Sequence, residues 1–262
     1  MNTSINELIE YYKQGNSINA TAQKFNLTSY IIKKRLKEAG IKLRTQKEQL
    51  IIENIRRAKP INHNYFKELN LENVYYLGFL GADGCVRPNS NEIKIGLSSI
   101  DEDFLIEFKE KIQTECKIGH YTTSNGFNCV SLCFASAAIK QDLIKYSIVP
   151  NKTYIGITMK EIPENLKIAF IKGFFDGDGS FSYNKNTRQG MIKIASHTKG
   201  ILEEINQYFN YTGKIYQTKD KNYSLEFSTL PSLNILEQFY NIDTPCLKRK
   251  QQKYYNYLEL RK

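Results

Sequence analysis

Two stretches of this chain are written in nearly the same pattern. Tyr76–Cys85 reads YLGFLGADGC, and Ile171–Ser180 reads IKGFFDGDGS. The likeness extends well beyond them. IKI at Ile93–Ile95 returns at Ile192–Ile194, and CKIGHY from Cys116 is answered by GKIYQT from Gly213. The offsets are 95 between Asp83 and Asp178, 99 between Ile93 and Ile192, and 97 between Lys117 and Lys214. Between these marks lie amphipathic segments, DEDFLIEFKEKI and KGILEEINQYF, and each copy ends in a lysine-bearing stretch, NKTY or LKRKQQKY. A near-constant offset signals an internal duplication, which constrains the fold more than composition does. Residues 67–160 and 161–262 therefore read as two repeats, each helix, two strands, helix, two strands, helix. The fold class expected is α+β: two pseudo-symmetric αββαββα repeats with antiparallel sheets. In NEIKIGLS, Ile93, Ile95 and Leu97 share one face, while Lys94, Gly96 and Ser98 share the other. Ile192 and Ile194 repeat the inward pattern around Lys193. One face of each sheet packs on helices, and the other is free to bind something.

The paired motifs close two helices. The first is expected from Asn70-Leu71-Glu72 to Asp83-Gly84. The second should run from Pro163-Glu164, where proline is tolerated in the first turn, to Asp178-Gly179. Gly78 and Ala82 stand four apart on one face, as do Gly173 and Gly177. An interior helical glycine costs about 1 kcal/mol relative to alanine, so these glycines need a compensating gain. Small residues at i and i+4 let two helix backbones approach closely. The two helices are thus expected to pack together and bring Asp83 and Asp178 side by side. An aspartate at a helix C-terminus is unfavourable, and two such carboxylates repel. A divalent cation relieves both problems, and carboxylate and carbonyl oxygens suit Mg2+. One Asp-Gly pair is ordinary turn punctuation; two in the same repeat frame are not.

These segments resemble the two signature helices of LAGLIDADG endonucleases, over about residues 67–262. The resemblance implies that Asp83 and Asp178 hold metal, Mg2+ or Mn2+, with the carbonyls of Ala82 and Gly177 as further ligands. The sixth motif position is Asp176 in the second copy and Gly81 in the first, a position at which the family is tolerant. It also implies a basic residue beside the metals in each copy. That is Lys152 in the first and Lys248 or Lys250 in the second, with Lys250 preferred by local alignment. The implied catalytic set is Asp83, Asp178, Lys152 and Lys250. The sheets would form saddles on the major groove, which accepts a two-stranded ribbon. Their outward faces are expected to present Asn89, Asn91, Lys94, Asn184, Lys185, Arg188 and Lys193. The implied activity is metal-dependent hydrolysis of both strands of double-stranded DNA at a long, asymmetric site, as in intron homing, by a monomer. Two alternatives stand beside it: a non-cleaving DNA-binding regulator, which should have lost its acidic residues, and an RNA splicing maturase on the same fold. The host element, whether intron, intein or free-standing gene, is left open. His197 and Ser98 end equivalent strands, but no HNH or HxxH pattern surrounds His197, so no direct chemistry is expected of it.

Residues 1–48 read as a small all-α domain, with 49–66 as a linker. Gly15 stops a first helix, Ser17 caps a second, Asn26-Leu27 turns, and Thr28 caps a third that Gly40 ends. Ile18, Ala22, Phe25, Leu27, Ile31, Ile32 and Leu36 form the expected mini-core. The third helix carries Lys33, Lys34 and Arg35, and the arrangement resembles a helix-turn-helix whose last helix enters the major groove. Charge agrees: the net is +10 with a pI of about 9.2, a footprint suited to polyphosphate. Residues 1–50 hold nine Lys or Arg against four Glu, and Lys248–Lys262 six against one. No stretch has the run of apolar residues that spans a bilayer, and the N-terminus carries no secretory pattern. A cytoplasmic setting, or an organelle matrix, is expected, not secretion and not a membrane. The five cysteines form no CxxC pair, and Cys129 and Cys133 are expected as buried thiols sharing one strand face.

Overall fold

The computed structural model describes residues 4–57 and 59–262, the side chains of 54–57 excepted, and the chain divides into units 1–59 and 60–262. The first unit holds α1 (Ile5–Lys13), α2 (Ile18–Lys24), α3 (Ser29–Glu38) and α4 (Gln46–Arg57). The expected caps form. Ser17 Oγ accepts from the Ala20 N–H at 3.1 Å, and Thr28 Oγ1 from the Ile31 N–H at 3.3 Å. Asn26 takes a left-handed φ of 51° in the turn before α3, and Gly15 and Gly40 have φ of 91° and 71° past their helices. The core is Leu8, Tyr12, Ala22, Ile32 and Leu36, with Ile18, Phe25 and Leu27 packed on it. Ile31, expected there, lies outside that cluster. Arg44 ties the segment after α3 back to the first helix: it donates to the Tyr12 carbonyl at 2.6 Å and stacks 4.0 Å from that ring.

The boundary corrects the expected linker over 49–66. Those residues are shared between the two units. Gln49, on α4, donates to the Gly15 carbonyl at 3.1 Å, whereas Phe66 is fully buried in the second unit. The polar, mixed composition of 42–66 is compatible with the helix α4 found there but gives no sign of the buried Phe66.

The second unit runs α5 (Leu71–Asp83), β1 (Gly84–Val86), β2 (Glu92–Ser98), α6 (Glu102–Lys111), β3 (Ile118–Thr122), β4 (Asn128–Ala135), α7 (Ala137–Lys145) and α8 (Lys152–Ile155). It then repeats as α9 (Lys167–Asp178), β5 (Gly179–Tyr183), β6 (Gly190–Ser196), α10 (Lys199–Tyr208), β7 (Lys214–Gln217), β8 (Tyr223–Phe227), α11 (Thr229–Asn241) and α12 (Lys248–Arg261). The two antiparallel sheets have the same order, β1-β2-β4-β3 and β5-β6-β8-β7. Ile93, Ile95, Val130, Leu132 and Phe134 face the core of the first, and Ile192, Ile194, Leu225 and Phe227 that of the second. The expected α+β double repeat is the architecture found. An Asn70–Asn73 capping box starts α5 where expected. The second signature helix begins later than expected, at Lys167, after a 3-10 turn over Glu164–Leu166.

The glycines explain how the two copies join. A Cβ on Gly78 would lie 1.9 Å from the Phe170 carbonyl oxygen, and one on Gly173 1.9 Å from that of Tyr75. A Cβ on Gly177 would lie 2.3 Å from Cβ of Ala82. Backbone meets backbone at a reciprocal seam, and the conformational cost of the glycines is repaid by burial of the flanking Tyr75, Phe79, Phe170 and Phe174.

Candidate active site

Both helices of the seam end on aspartate. Asp83 is the last residue of α5 and Asp178 the last of α9. The Asp83 carboxylate lies over Gly177, since a Cβ there would be 3.2 Å from Asp83 Oδ2. Burial raises the Asp83 pKa above the usual carboxylate range, opposed by Lys152 and Lys250. Burial, reinforced by the charge of Asp83, pushes Asp178 up to about 6. Ionising both carboxyls in this buried site is therefore unfavourable, a cost that a cation would relieve. Among the described residues no group of three or more His, Cys, Asp or Glu converges. A cation here would draw its remaining ligands from carbonyls, water and substrate, a hard oxygen set that fits Mg2+ or Mn2+.

These shifts set a pH dependence. A carboxyl with a raised pKa stabilises the fold fully below its ordinary pKa of 3.8, and that contribution is lost as pH rises through about 6. Thermal melts in EDTA are therefore expected to show this pair adding stability between pH 8 and pH 5. Asp178→Asn should flatten that gain; an equal rise in the variant would contradict the assignment. Lys250, lowered to about 8 by burial, titrates at the upper edge of this window, so the gain to compare is the one between pH 7 and pH 5.

The two lysines are held differently. Lys152 opens the short helix α8 after Asn151, whose φ is 60°. Its ammonium donates to one carbonyl, that of Ala82, at 2.6 Å. Lys250 is buried and donates to three: Phe175 at 2.7 Å, Asp176 at 2.7 Å and Gly179 at 2.6 Å. These belong to the C-terminal turn of α9 and the residue after it, where a cation also opposes the helix dipole. Sequence alignment preferred Lys250 to Lys248, and Lys250 is the one at the helix end. Lys248 reaches outward to Asp103 at 2.5 Å.

Three participants escaped sequence reasoning. Asp176 is buried beneath the site; its Oδ2 accepts from the Tyr75 hydroxyl at 2.7 Å and from the Leu247 N–H at 3.1 Å. It thereby anchors the segment that presents Lys250. Asp101 and Arg249 form an ion pair, with Arg249 Nε 2.9 Å from both carboxylate oxygens. Both line an open depression of about 290 Å³ together with Asp83, Ser98, Tyr121 and Gly177. For Asp176 the prior signal was its motif position, and for the ion pair only the adjacency of Arg249 to Lys250.

The expected DNA-facing residues separate into classes. Lys33 and Lys34 are exposed on α3, while Arg35 is half-buried. Lys94 lies on the outward face of the first sheet, paired in register with Cys85 and Cys133. Lys193 faces outward on the second sheet but is bound to Glu226 at 2.7 Å. Asn89, Asn91, Asn184, Lys185 and Arg188 correct the expectation of strand faces, because all five lie in the β1–β2 and β5–β6 turns and are exposed. The Asn184 side chain is occupied in accepting from the Asn186 and Thr187 N–H groups at 2.8 and 3.0 Å. Cys129 and Cys133 share a face as expected, but it is the outward one: Cys133 is exposed and Cys129 half-buried, because Val130, Leu132 and Phe134 take the core side. His197 bonds Asn222 at 2.8 Å and stacks edge-on against Tyr154.

Residues 165–240 match the model of the LAGLIDADG-like domain. An uncharacterized protein of Methanocaldococcus jannaschii is 26% identical over 206 residues, covering 73% of this chain and 72% of that protein. A probable translation initiation factor IF-2 of the same organism is 27% identical over 180 residues, 64% of this chain but only 14% of the factor. Among solved structures, the LAGLIDADG meganuclease I-AabMI bound to uncleaved DNA superposes with a TM-score of 0.52 at 15% identity, covering 74% of this chain and 92% of that one. Residues 165–240 are a LAGLIDADG-like domain, and the two-repeat unit to which they belong has the LAGLIDADG homing-endonuclease fold.

Proposed function

We propose that this chain is a site-specific endonuclease that hydrolyses both strands of double-stranded DNA with divalent metal. The observation that carries the reading is the pair Asp83 and Asp178, set at adjoining helix ends with both carboxyl pKa values raised. Both carboxylates are intact, which favours cleavage over a binding-only regulator. Asp83 and Asp178 would hold the cation with the Gly177 carbonyl, joined by that of Ala82 once Lys152 leaves it for a phosphate. When bound, Mg2+ or Mn2+ supplies a water of lowered pKa and charge stabilisation on the phosphate. Lys152 is lowered in pKa by burial and held beside both aspartates, where it can donate to developing negative charge. Lys250 fixes the end of α9 that carries Asp178.

The outward sheet faces differ between copies, so the site they read is asymmetric. Cys85, Lys94 and Cys133 stand in one row of the first sheet. Ser180, Lys193, Glu226 and Lys214 stand in the corresponding row of the second. Both half-sites lie in one chain, so the working form is a monomer, acting in the cytoplasm or an organelle matrix. Among the described residues no helix is long and apolar enough to cross a membrane.

The α1–α4 unit, with Lys33 and Lys34 exposed on α3, reads one flank of the site as a helix-turn-helix. Deleting residues 1–59 is expected to shorten the footprint on one side and to lower the slope of log affinity against log salt by about 0.9 per lost phosphate contact. An unchanged slope and footprint would remove the unit from recognition. The activity itself is tested on a plasmid library carrying randomised inserts. Linear product with Mg2+ and none with EDTA is expected; persistent binding with no linear product shifts the reading to a regulator or a maturase.

A further inference from the structure

An ammonium group has three N–H donors. Those of Lys250 meet three carbonyls at 2.6–2.7 Å. The group is buried, and nothing remains with which to reach a substrate oxygen. Lys152, its counterpart, spends one donor on Ala82 and is half-buried. The two copies therefore offer unequal cations to the site.

Arg249 supplies what Lys250 withholds. It lines the same depression as Asp83, and its side chain is 51% exposed. Asp101 is 5% exposed and grips Arg249 through Nε alone, 2.9 Å from each oxygen. Among the described residues the terminal nitrogens of Arg249 bond nothing else, so the far edge of the guanidinium is left for a phosphate. That edge can offer two parallel N–H donors, the geometry that phosphate oxygens favour. Asp101 precedes α6, and Lys248 binds Asp103 in the first turn of the same helix. The second repeat's last helix is thus clamped onto the first repeat at this point. Among the described residues the first copy lacks this arginine–aspartate pair: Asn151 stands where Arg249 would, Thr198 precedes α10 where Asp101 precedes α6, and the segment after α8 is held to α10 instead by Thr158 and Met159 donating to Glu204.

We propose that Arg249, oriented by Asp101, is the residue through which the second repeat contacts the scissile phosphate of one strand, while Lys250 is a positioning residue that fixes the end of α9. The first repeat then works through Lys152, and the two strands are cut by chemically different partners. This rests on the endonuclease reading.

The test is strand-resolved cleavage of the site recovered from the randomised library, with each strand carrying a different label. Arg249→Gln keeps a donor for Asp101 but loses the cation. It is expected to slow one strand about 100-fold, to spare the other and to accumulate a nicked duplex. Asp101→Asn should slow the same strand selectively, which a general loss of structure would not do. Lys250→Met should lower the melting temperature and slow both strands; should it fail to fold, Lys250→Arg is expected to restore folding and part of both rates. Wild-type cleavage with both strands unaffected by Arg249→Gln overturns the proposal and leaves the endonuclease reading standing. Lys250→Met that melts like wild type but loses one strand overturns it too. A wild-type chain that cuts nothing removes the endonuclease reading and this proposal with it.

Discussion

Asp178→Asn should abolish cleavage, by on the order of 1000-fold or more, while DNA affinity measured in Ca2+ stays close to wild type. A bound cation contributes several kcal/mol of transition-state stabilisation, and each 1.36 kcal/mol is tenfold in rate. Removing one of two carboxylates should not be compensated, because among the described residues no group of three or more His, Cys, Asp or Glu is arranged to hold a metal ion, and the nearby Asp101 and Asp176 are engaged by Arg249 and by Tyr75 and Leu247. Binding should survive because, in the proposed reading, most DNA contacts are made by the sheets and the N-terminal unit and do not need Asp178. The same substitution should stabilise the metal-free chain at pH 7.5. Asp178 is ionised there against a pKa of about 6, beside Asp83 and at a helix C-terminus. Relief of about 1 kcal/mol corresponds to about 2–4 °C for a unit of this size. A variant that is inactive and yet more heat-stable identifies a residue kept for chemistry; one that is inactive and less stable identifies a structural residue.

Gly173→Ala should be strongly destabilising for so small a substitution. In an exposed helix this change gains about 1 kcal/mol. Here the new methyl would sit 1.9 Å from the Tyr75 carbonyl oxygen, a backbone atom that cannot swing aside. Separating α5 from α9 would open the core on both flanks and part Asp83 from Asp178. Overpacking costs about 1–3 kcal/mol where side chains can yield, and more against backbone. The melting temperature of the full chain should fall by about 10 °C, and the variant should cleave poorly even below its midpoint. Gly200→Ala is the control, because a Cβ at Gly200 meets nothing within 4 Å. Equal stability of the two variants would refute the close-packed seam.

The features legible in the sequence were those that the duplication wrote twice. Two Gly-containing helices in the same frame foretold the seam, and the Asp-Gly endings foretold the carboxylate pair. Features written once were harder to see. Arg249 and Asp101 are 148 positions apart, and nothing local marks them as partners. The Leu247 N–H that Asp176 accepts is likewise visible only in three dimensions, so its motif position read as merely tolerant. Lys250 was expected from the repeat alignment as the basic residue of the second copy, but its three carbonyl partners depend on how α9 ends, which spacing cannot reveal. Other features do carry a local signal. Pro88-Asn89-Ser90-Asn91 and Asn184–Arg188 are turn-rich clusters, and turn chemistry would have taken those residues off the strand faces. The outward cysteines follow from the same alternation that put Val130 and Leu132 inside.

The most direct measurement is to sequence both strands at the ends left when the full-length chain acts on the randomised library in Mg2+, with EDTA as the control. The account predicts paired breaks on opposite strands, a few base pairs apart, at one long asymmetric sequence, and none in EDTA. Breaks that persist in EDTA, or that scatter without a common sequence, would contradict it.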